Sequence, residues 1–377
     1  MRVSRFGIFV IFFCVAAISI FVLSGHSHTV EIQQKLLCHA MGVDYENGEY
    51  SVTIQAFKPS GAGSDTPVDI TKSNIEVVGG KGKTIAQALE HCETTKGKTV
   101  FLGHLQLICF GRSVDFSDPK RLFEFCLKDK TVYLGVSICL SDTTAKELME
   151  LQLTNSALST ENYTAVIDKN EEKARSVKCT LLDFFKNSNN TSSVAVPVLR
   201  ANAKGEEPEK KQSDKPALEL VSTAVISGGK VLPTELSPDN CAGFCLLHGK
   251  CKQAVLALTL QGGKSSVQLT VKSRGRRINT ENGRLVFNAE LTVVVQKVKD
   301  IVTEYQPQEV SQKVKEVLQR QFDEIYEIIE QGEKADILGV CRQIRHEYPK
   351  TYLEYEDDPQ ELIELTRAKL DVQCLVQ

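Results

Sequence analysis

Cys241, Cys245, His248 and Cys251 are the side chains in this 377-residue sequence whose types and spacing come nearest to doing chemistry. Thiolate and imidazole are zinc ligands, and an i, i+4 pair on a helix aims Cys241 and Cys245 the same way. Such a group would make an extracytoplasmic metal or thiol enzyme. Against that reading, no pair has the C-x2-C spacing of a zinc knuckle. Ala242, Phe244, Leu246 and Leu247 also make the segment read as a buried helix whose sulfurs face the core. His104 offers a base, yet nothing close in sequence supplies a nucleophile or an orienting carboxylate. A strand histidine of this kind reads as satisfying a buried hydrogen bond. Glu354, Glu356, Asp357 and Asp358 could attract a divalent cation, but they read better as an exposed acidic loop before Pro359. The run Val78-Gly79-Gly80-Lys81-Gly82-Lys83-Thr84 invites comparison with a phosphate-binding loop. That motif needs a glycine five residues before Gly82, where Val77 stands, so a turn before a helix is the simpler account.

These residues need elements to carry them. Alternating apolar residues predict strands at 42–45 and 50–57, joined through Asn47-Gly48, a favoured hairpin turn. Further strands are expected at 75–78, 100–111 and 133–140, and helices at 84–93, 119–127 and 143–151. A less regular region follows. Residues 201–216 are charged and lack apolar periodicity, which is the composition of a solvated linker. Beyond it we expect strands at 220–226 and 230–232, a helix at 238–247, and strands at 254–260, 267–272 and 284–295. A long amphipathic helix from 308 to 331 carries Val310, Val314, Val317, Leu318, Ile325, Ile328 and Ile329 on one face, and Gly332 is its expected exit. Asp336 follows that exit and is suited to cap a next helix. A last strand is expected at 371–376.

Composition narrows the class. With 45 basic and 48 acidic residues, the net charge of −3 gives no electrostatic reason to expect nucleic acid. A hydrophobic content of 42% is enough for a packed core. Arg2 and Arg5 precede an unbroken apolar run at 6–23, which includes Phe6, Ile11, Phe13 and Leu23. This is the form of a secretory signal or an N-terminal membrane anchor, and the rest of the chain is expected outside the cytoplasm. Twelve cysteines scattered through apolar stretches read as reduced core residues rather than as a disulfide framework.

The order of residues near the C-terminus adds a resemblance. A long helix with a glutamine is followed by Lys334-Ala335-Asp336-Ile337-Leu338-Gly339, then by Arg342, Arg345 and Tyr348-Pro349-Lys350. This resembles the C-terminal signature of the Ger(x)C family, the C subunits of GerA-type nutrient germinant receptors of bacterial endospores. Phe101-Leu102-Gly103-His104-Leu105, Gly82-Lys83-Thr84 with Ala88-Leu89, and Ala145-Lys146-Glu147-Leu148 look like the family's N-terminal pattern. Departures are Leu23-Ser24-Gly25-His26 where a lipobox would end in cysteine, Cys341 in place of a usual glycine, and Tyr352 near a usual tryptophan.

The resemblance implies an α+β fold of two to three successive domains, each a mainly antiparallel sheet flanked by helices. The expected division is an anchor at 1–28, an N-terminal α+β region at 29–200 with a break near 140–150, a linker at 201–216, and a C-terminal domain at 217–377. It implies a non-catalytic, cofactor-free subunit on the outer face of the spore inner membrane, working with A and B subunits when nutrients arrive. Gly103, His104, Asp336, Arg342 and Arg345 are the residues expected at a subunit interface. A free-standing solute-binding protein is the remaining alternative to the receptor subunit and the metal or thiol enzyme.

Overall fold

The computed structural model describes residues 34–57, 74–151, 159–188, 193–202, 217–248, 250–260, 263–299 and 306–376. The expected anchor with Phe6, Ile11, Phe13 and Leu23, and all but the first two residues of the charged stretch, lie outside the described residues.

The fold is mixed helix and sheet. In the first half, strands β1 (Lys35–Glu46) and β2 (Glu49–Phe57) form the expected hairpin, with Glu46 opposite Glu49 and both Asn47 and Gly48 at positive φ. Strand β3 (Ile75–Gly82) adds antiparallel to β2 and leads into helix α1 (Ile85–Lys96), capped by the Thr84 hydroxyl, which accepts from the Gln87 N–H at 3.2 Å. The chain then passes through β4 (Thr99–Phe101), β5 (Leu107–Phe110), helices α2 (Pro119–Leu122) and α3 (Glu124–Lys128), β6 (Ser137–Ser141), and helices α4 (Ala145–Glu150) and α5 (Ser159–Glu172). It continues through β7 (Cys179–Thr180), α6 (Leu181–Ser188), β8 (Val194–Asn202), β9 (Ala217–Ser227) and β10 (Lys230–Leu236).

These ten strands make one sheet in the order β10-β9-β8-β6-β5-β1-β2-β3, with β4 beside β1 and β7 beside β6. Its flanks are antiparallel, while the central run β1-β5-β6-β8 is parallel because helical crossovers separate those strands. Both faces are covered. Phe110, Phe123 and Phe184 pack on one side, and Leu148, Met149 and Tyr163 on the other, so β5 is buried throughout.

Several expectations are corrected. The strand expected at 100–111 is two short ones, because the Leu105 N–H bonds back to the Leu102 carbonyl at 3.0 Å and turns the chain at Gly103-His104. The less regular region holds α5 and β8. Pro197 and the polar end of β8 weaken the strand pattern, yet β8 pairs with β9 along its length. Asn202 and Ala217 are register partners, so residues 203–216 connect neighbouring antiparallel strands and the sheet continues across the expected boundary at 217. A charged insertion has the same composition whether it joins two domains or two strands.

The glycine-rich run that resembled a phosphate loop has a packing explanation. β3 lies so close to α1 that a methyl on Gly80 would sit 2.1 Å from the Ala88 carbonyl oxygen and 2.8 Å from the Cys92 sulfur. Gly80→Ala should therefore lower stability by about 2 kcal/mol, by forcing the helix off the sheet. Urea unfolding checks this, and an unchanged midpoint contradicts it.

The second half begins with helix α7 (Ala242–His248), shorter than expected, and four strands in the order β11-β12-β13-β14. β11 (Gln253–Leu260) alternates exposed and buried residues without exception, the mark of a sheet with one wet face. β12 (Gly263–Glu281) and β13 (Arg284–Lys299) run well past the expected segments and turn at Asn282-Gly283, both at positive φ. After helix α8 (Pro307–Ile325), a π-helical turn (Tyr326–Gly332), and helices α9 (Val340–Glu347), α10 (Pro349–Glu354) and α11 (Pro359–Leu365), strand β14 (Arg367–Val376) returns parallel to β13. Ala195 and Val225 of the first sheet belong to the core of this second unit, so the two halves share buried apolar contact.

Candidate functional site

The signature residues gather where α8 ends. Val310, Val314, Leu318, Phe322 and Ile325 are buried, as their spacing requires. Gln321, 2% exposed, ties this helix to α7: its carboxamide oxygen accepts from the Gly243 N–H at 2.8 Å, and its nitrogen donates to the Asp239 carbonyl at 2.9 Å. Past Ile325 the helix widens into the π turn, which carries it to the expected end at Gly332. The extra residue per turn rotates Ile328 into solvent, at 49% exposed, and brings Glu330 fully inside. The left-handed exit is then made by Lys334 at φ 55° rather than by Gly332.

Two carboxylates organise the corner. Asp336, 2% exposed, accepts from the Val340 N–H at 2.6 Å and the Cys341 N–H at 3.0 Å, the capping arrangement for α9. Its own carbonyl accepts from the Ser193 N–H at 3.3 Å, which links the corner to the first sheet. One oxygen of Glu330 accepts from the Leu338 N–H at 2.6 Å, while the other is buried without a partner. Burial, then the Asp336 charge, push the Glu330 carboxyl well above the usual carboxylate range. Burial also raises Asp336, but three backbone N–H bonds oppose the rise, so Glu330 holds the proton first.

Facing them, the largely buried Arg276 donates to the Leu338 carbonyl at 3.0 Å and to the Leu247 carbonyl. Burial pulls its pKa down to about 10, a fall partly opposed by Asp336 and Glu330. Neither Glu330 nor Arg276 stands out in the sequence. Glu330 had one signal, its position four residues after the buried Tyr326; Arg276 had none.

The expected interface residues fall in two places. Asp336 is buried, whereas Arg342 and Arg345 are exposed on α9, with Arg345 lying 5.5 Å over the Tyr352 ring. Gly103 and His104 sit at the turn between β4 and β5 in the first half. There the His104 ring stacks 5.7 Å from His39 and meets Phe101 edge-on at 5.6 Å. His104 is thus an exposed stacking partner and not the buried strand histidine expected.

The cysteine cluster is a core feature. Cys241, Cys245 and Cys251 are buried, with the first two sulfurs 3.2 Å apart, and burial raises the Cys245 thiol well above its ordinary value. A sulfur held as thiol is a poor nucleophile. His248 packs against Phe244 at 5.2 Å. Among the described residues no group of three or more His, Cys, Asp or Glu side chains is disposed to hold a metal ion. Glu354, Glu356, Asp357 and Asp358 are all exposed.

Comparison with known proteins is consistent across the chain. Residues 28–201 match a family model described as the spore germination protein N-terminal domain. Residues 222–377 match one described as spore germination B3/GerAC like, C-terminal. A solved structure, "Crystal Structure of the GerBC protein", shares the fold at a TM-score of 0.52 and 14% identity, covering 89% of this chain and 96% of that one. No curated protein matches the sequence.

Proposed function

Because this chain belongs to the GerAC family of spore germination proteins, we propose that it is the C subunit of a nutrient germinant receptor and assembles with A and B subunits. The observation that carries this reading is the tiling of the two family models, in order, over 28–201 and 222–377. The subunit acts by fitting against other proteins and not by turnover. Two features support this: the clustered cysteines are buried, with burial raising the Cys245 thiol well above its ordinary value, and the corner carboxylates are engaged with backbone N–H groups.

Its position is the outer face of the spore inner membrane, held by the apolar segment with Phe6, Ile11, Phe13 and Leu23. Among the described residues no helix is long and apolar enough to cross a membrane. Arg342 and Arg345 offer one exposed contact surface and Gly103-His104 another, with Asp336 behind the first holding α9 in place. The division into an anchor (1–28), an N-terminal region (29–200), a charged connection (201–216) and a C-terminal domain (217–377) goes with this proposal, the last lending β9 and β10 to the sheet of the N-terminal region.

Spores lacking the chain are expected to stop responding to the nutrients that trigger the intact spores, and re-expression of the chain should restore the response. Loss of refractility after nutrient addition reports this, and an undiminished response without the chain contradicts it.

A further inference from the structure

A crevice of about 220 Å³ opens where the two halves meet, between α6 and β8 on one side and α7, β12 and the Asp336 corner on the other. Five cationic side chains line it, Lys178, Lys186, Lys250, Arg276 and Arg342, against two carboxylates, Asp183 and Asp336, while Asp168 outside the lining pairs with Lys178 at 2.8 Å. Both carboxylates are already engaged. Asp183 pairs with Lys250 and accepts from Thr180, and Asp336 caps α9. Among the described residues no carboxylate forms an ion pair with Arg342, and Arg276 is held by two carbonyls.

His248 contributes a second kind of observation. It lines the same crevice, and its Nδ1 is buried without a hydrogen-bond partner. Burial, with Lys250 and Arg276 nearby, lowers its pKa to about 4, so at neutral pH it enters as a neutral ring among cations. A buried ring nitrogen without a partner is uncommon and marks a place where a ligand can complete the bonding.

We infer that this crevice binds a small doubly charged oxyanion, either inorganic phosphate or a short dicarboxylate. The guanidinium groups of Arg276 and Arg342 suit the paired oxygens of either ion, and the lysines supply point charges. The volume sets the size class: it falls below the ~300–1,000 Å³ of pockets for larger organic ligands. Since Lys186 comes from the first half and Arg342 from the second, the bound ion joins the halves. The inference does not depend on the germination reading.

Titration calorimetry on the full-length chain in detergent, with phosphate, malonate and chloride in turn, tests it. Saturable single-site binding of phosphate or malonate, but not chloride, is expected, and the stronger of the two identifies the anion class. The double variant Lys186→Gln, Arg342→Gln changes two exposed side chains and should retain the fold, as thermal unfolding without anion will show. It should bind about tenfold more weakly or worse. Lys313→Gln, a change at a partly exposed side chain on α8 outside the crevice lining, should bind like the parent. Absence of saturable binding to either ion, full affinity in the double variant, or equal weakening in Lys313→Gln overturns the inference.

Discussion

Replacing Asp336 with alanine is expected to destabilise the protein by about 4 kcal/mol, the largest effect of any single change proposed for it. Three losses coincide at this carboxylate. The Val340 and Cys341 N–H groups, bonded at 2.6 and 3.0 Å, lose their acceptor at the start of α9. A lost cap alone costs about 1 kcal/mol, and buried donors left without an acceptor add roughly 1–3 kcal/mol. The third loss is the charge facing Arg276, whose guanidinium is already lowered to about 10 by burial. Leaving a buried cation uncompensated is the costly direction. Asp336→Asn keeps an acceptor but not the charge, and should cost about half as much. Denaturant unfolding of both variants separates the contributions. Alanine and asparagine variants both within about 0.5 kcal/mol of wild type, the range of an ordinary surface change, would contradict the account.

The second prediction concerns pH. The Glu330 carboxyl is raised in the folded protein, so the folded state keeps a proton that the unfolded chain releases near the ordinary carboxylate value. Its contribution to stability is complete below that ordinary value and is lost as pH rises through the higher folded value. Stability should therefore decline from about pH 5 upward, by at most about 1.4 kcal/mol per pH unit from this group. Glu330→Gln fixes the neutral form, since an amide oxygen can still accept from the Leu338 N–H. The variant should lose this slope and be more stable than wild type at pH 8. Unfolding midpoints from pH 5 to 8 decide the matter, and parallel curves for the two proteins would refute the assignment.

How much of this was legible in sequence differed from element to element. The buried face of α8 followed from its spacing, as did the Asn47-Gly48 hairpin and the cap at Asp336, because each rests on neighbours within one or two turns. The π turn was not legible. Ile328 belongs to the apolar face on an ideal helix, and only packing of Tyr326 and Ile329 against the core selects the wider turn that exposes it. The length of β12 was hidden because Lys272, Arg274, Arg276 and Arg277 interrupt its apolar alternation, although Asn282-Gly283 marked the turn. Arg276 and the crevice depend on contacts between segments far apart in the chain, among them 62 positions from Arg276 to Leu338, which local pattern does not encode. The Ger(x)C resemblance reached the family because the signature lies in such local order, and both family models agree with it.

The claim beneath all of this is that the chain works only as a membrane-held part of a larger receptor. Affinity purification of the tagged full-length chain from detergent-solubilised spore membranes tests it most directly. The expected result is recovery from the membrane fraction together with a multi-span permease-like protein and an A-type subunit in fixed proportion. Recovery of the chain by itself, from the soluble fraction, would contradict it.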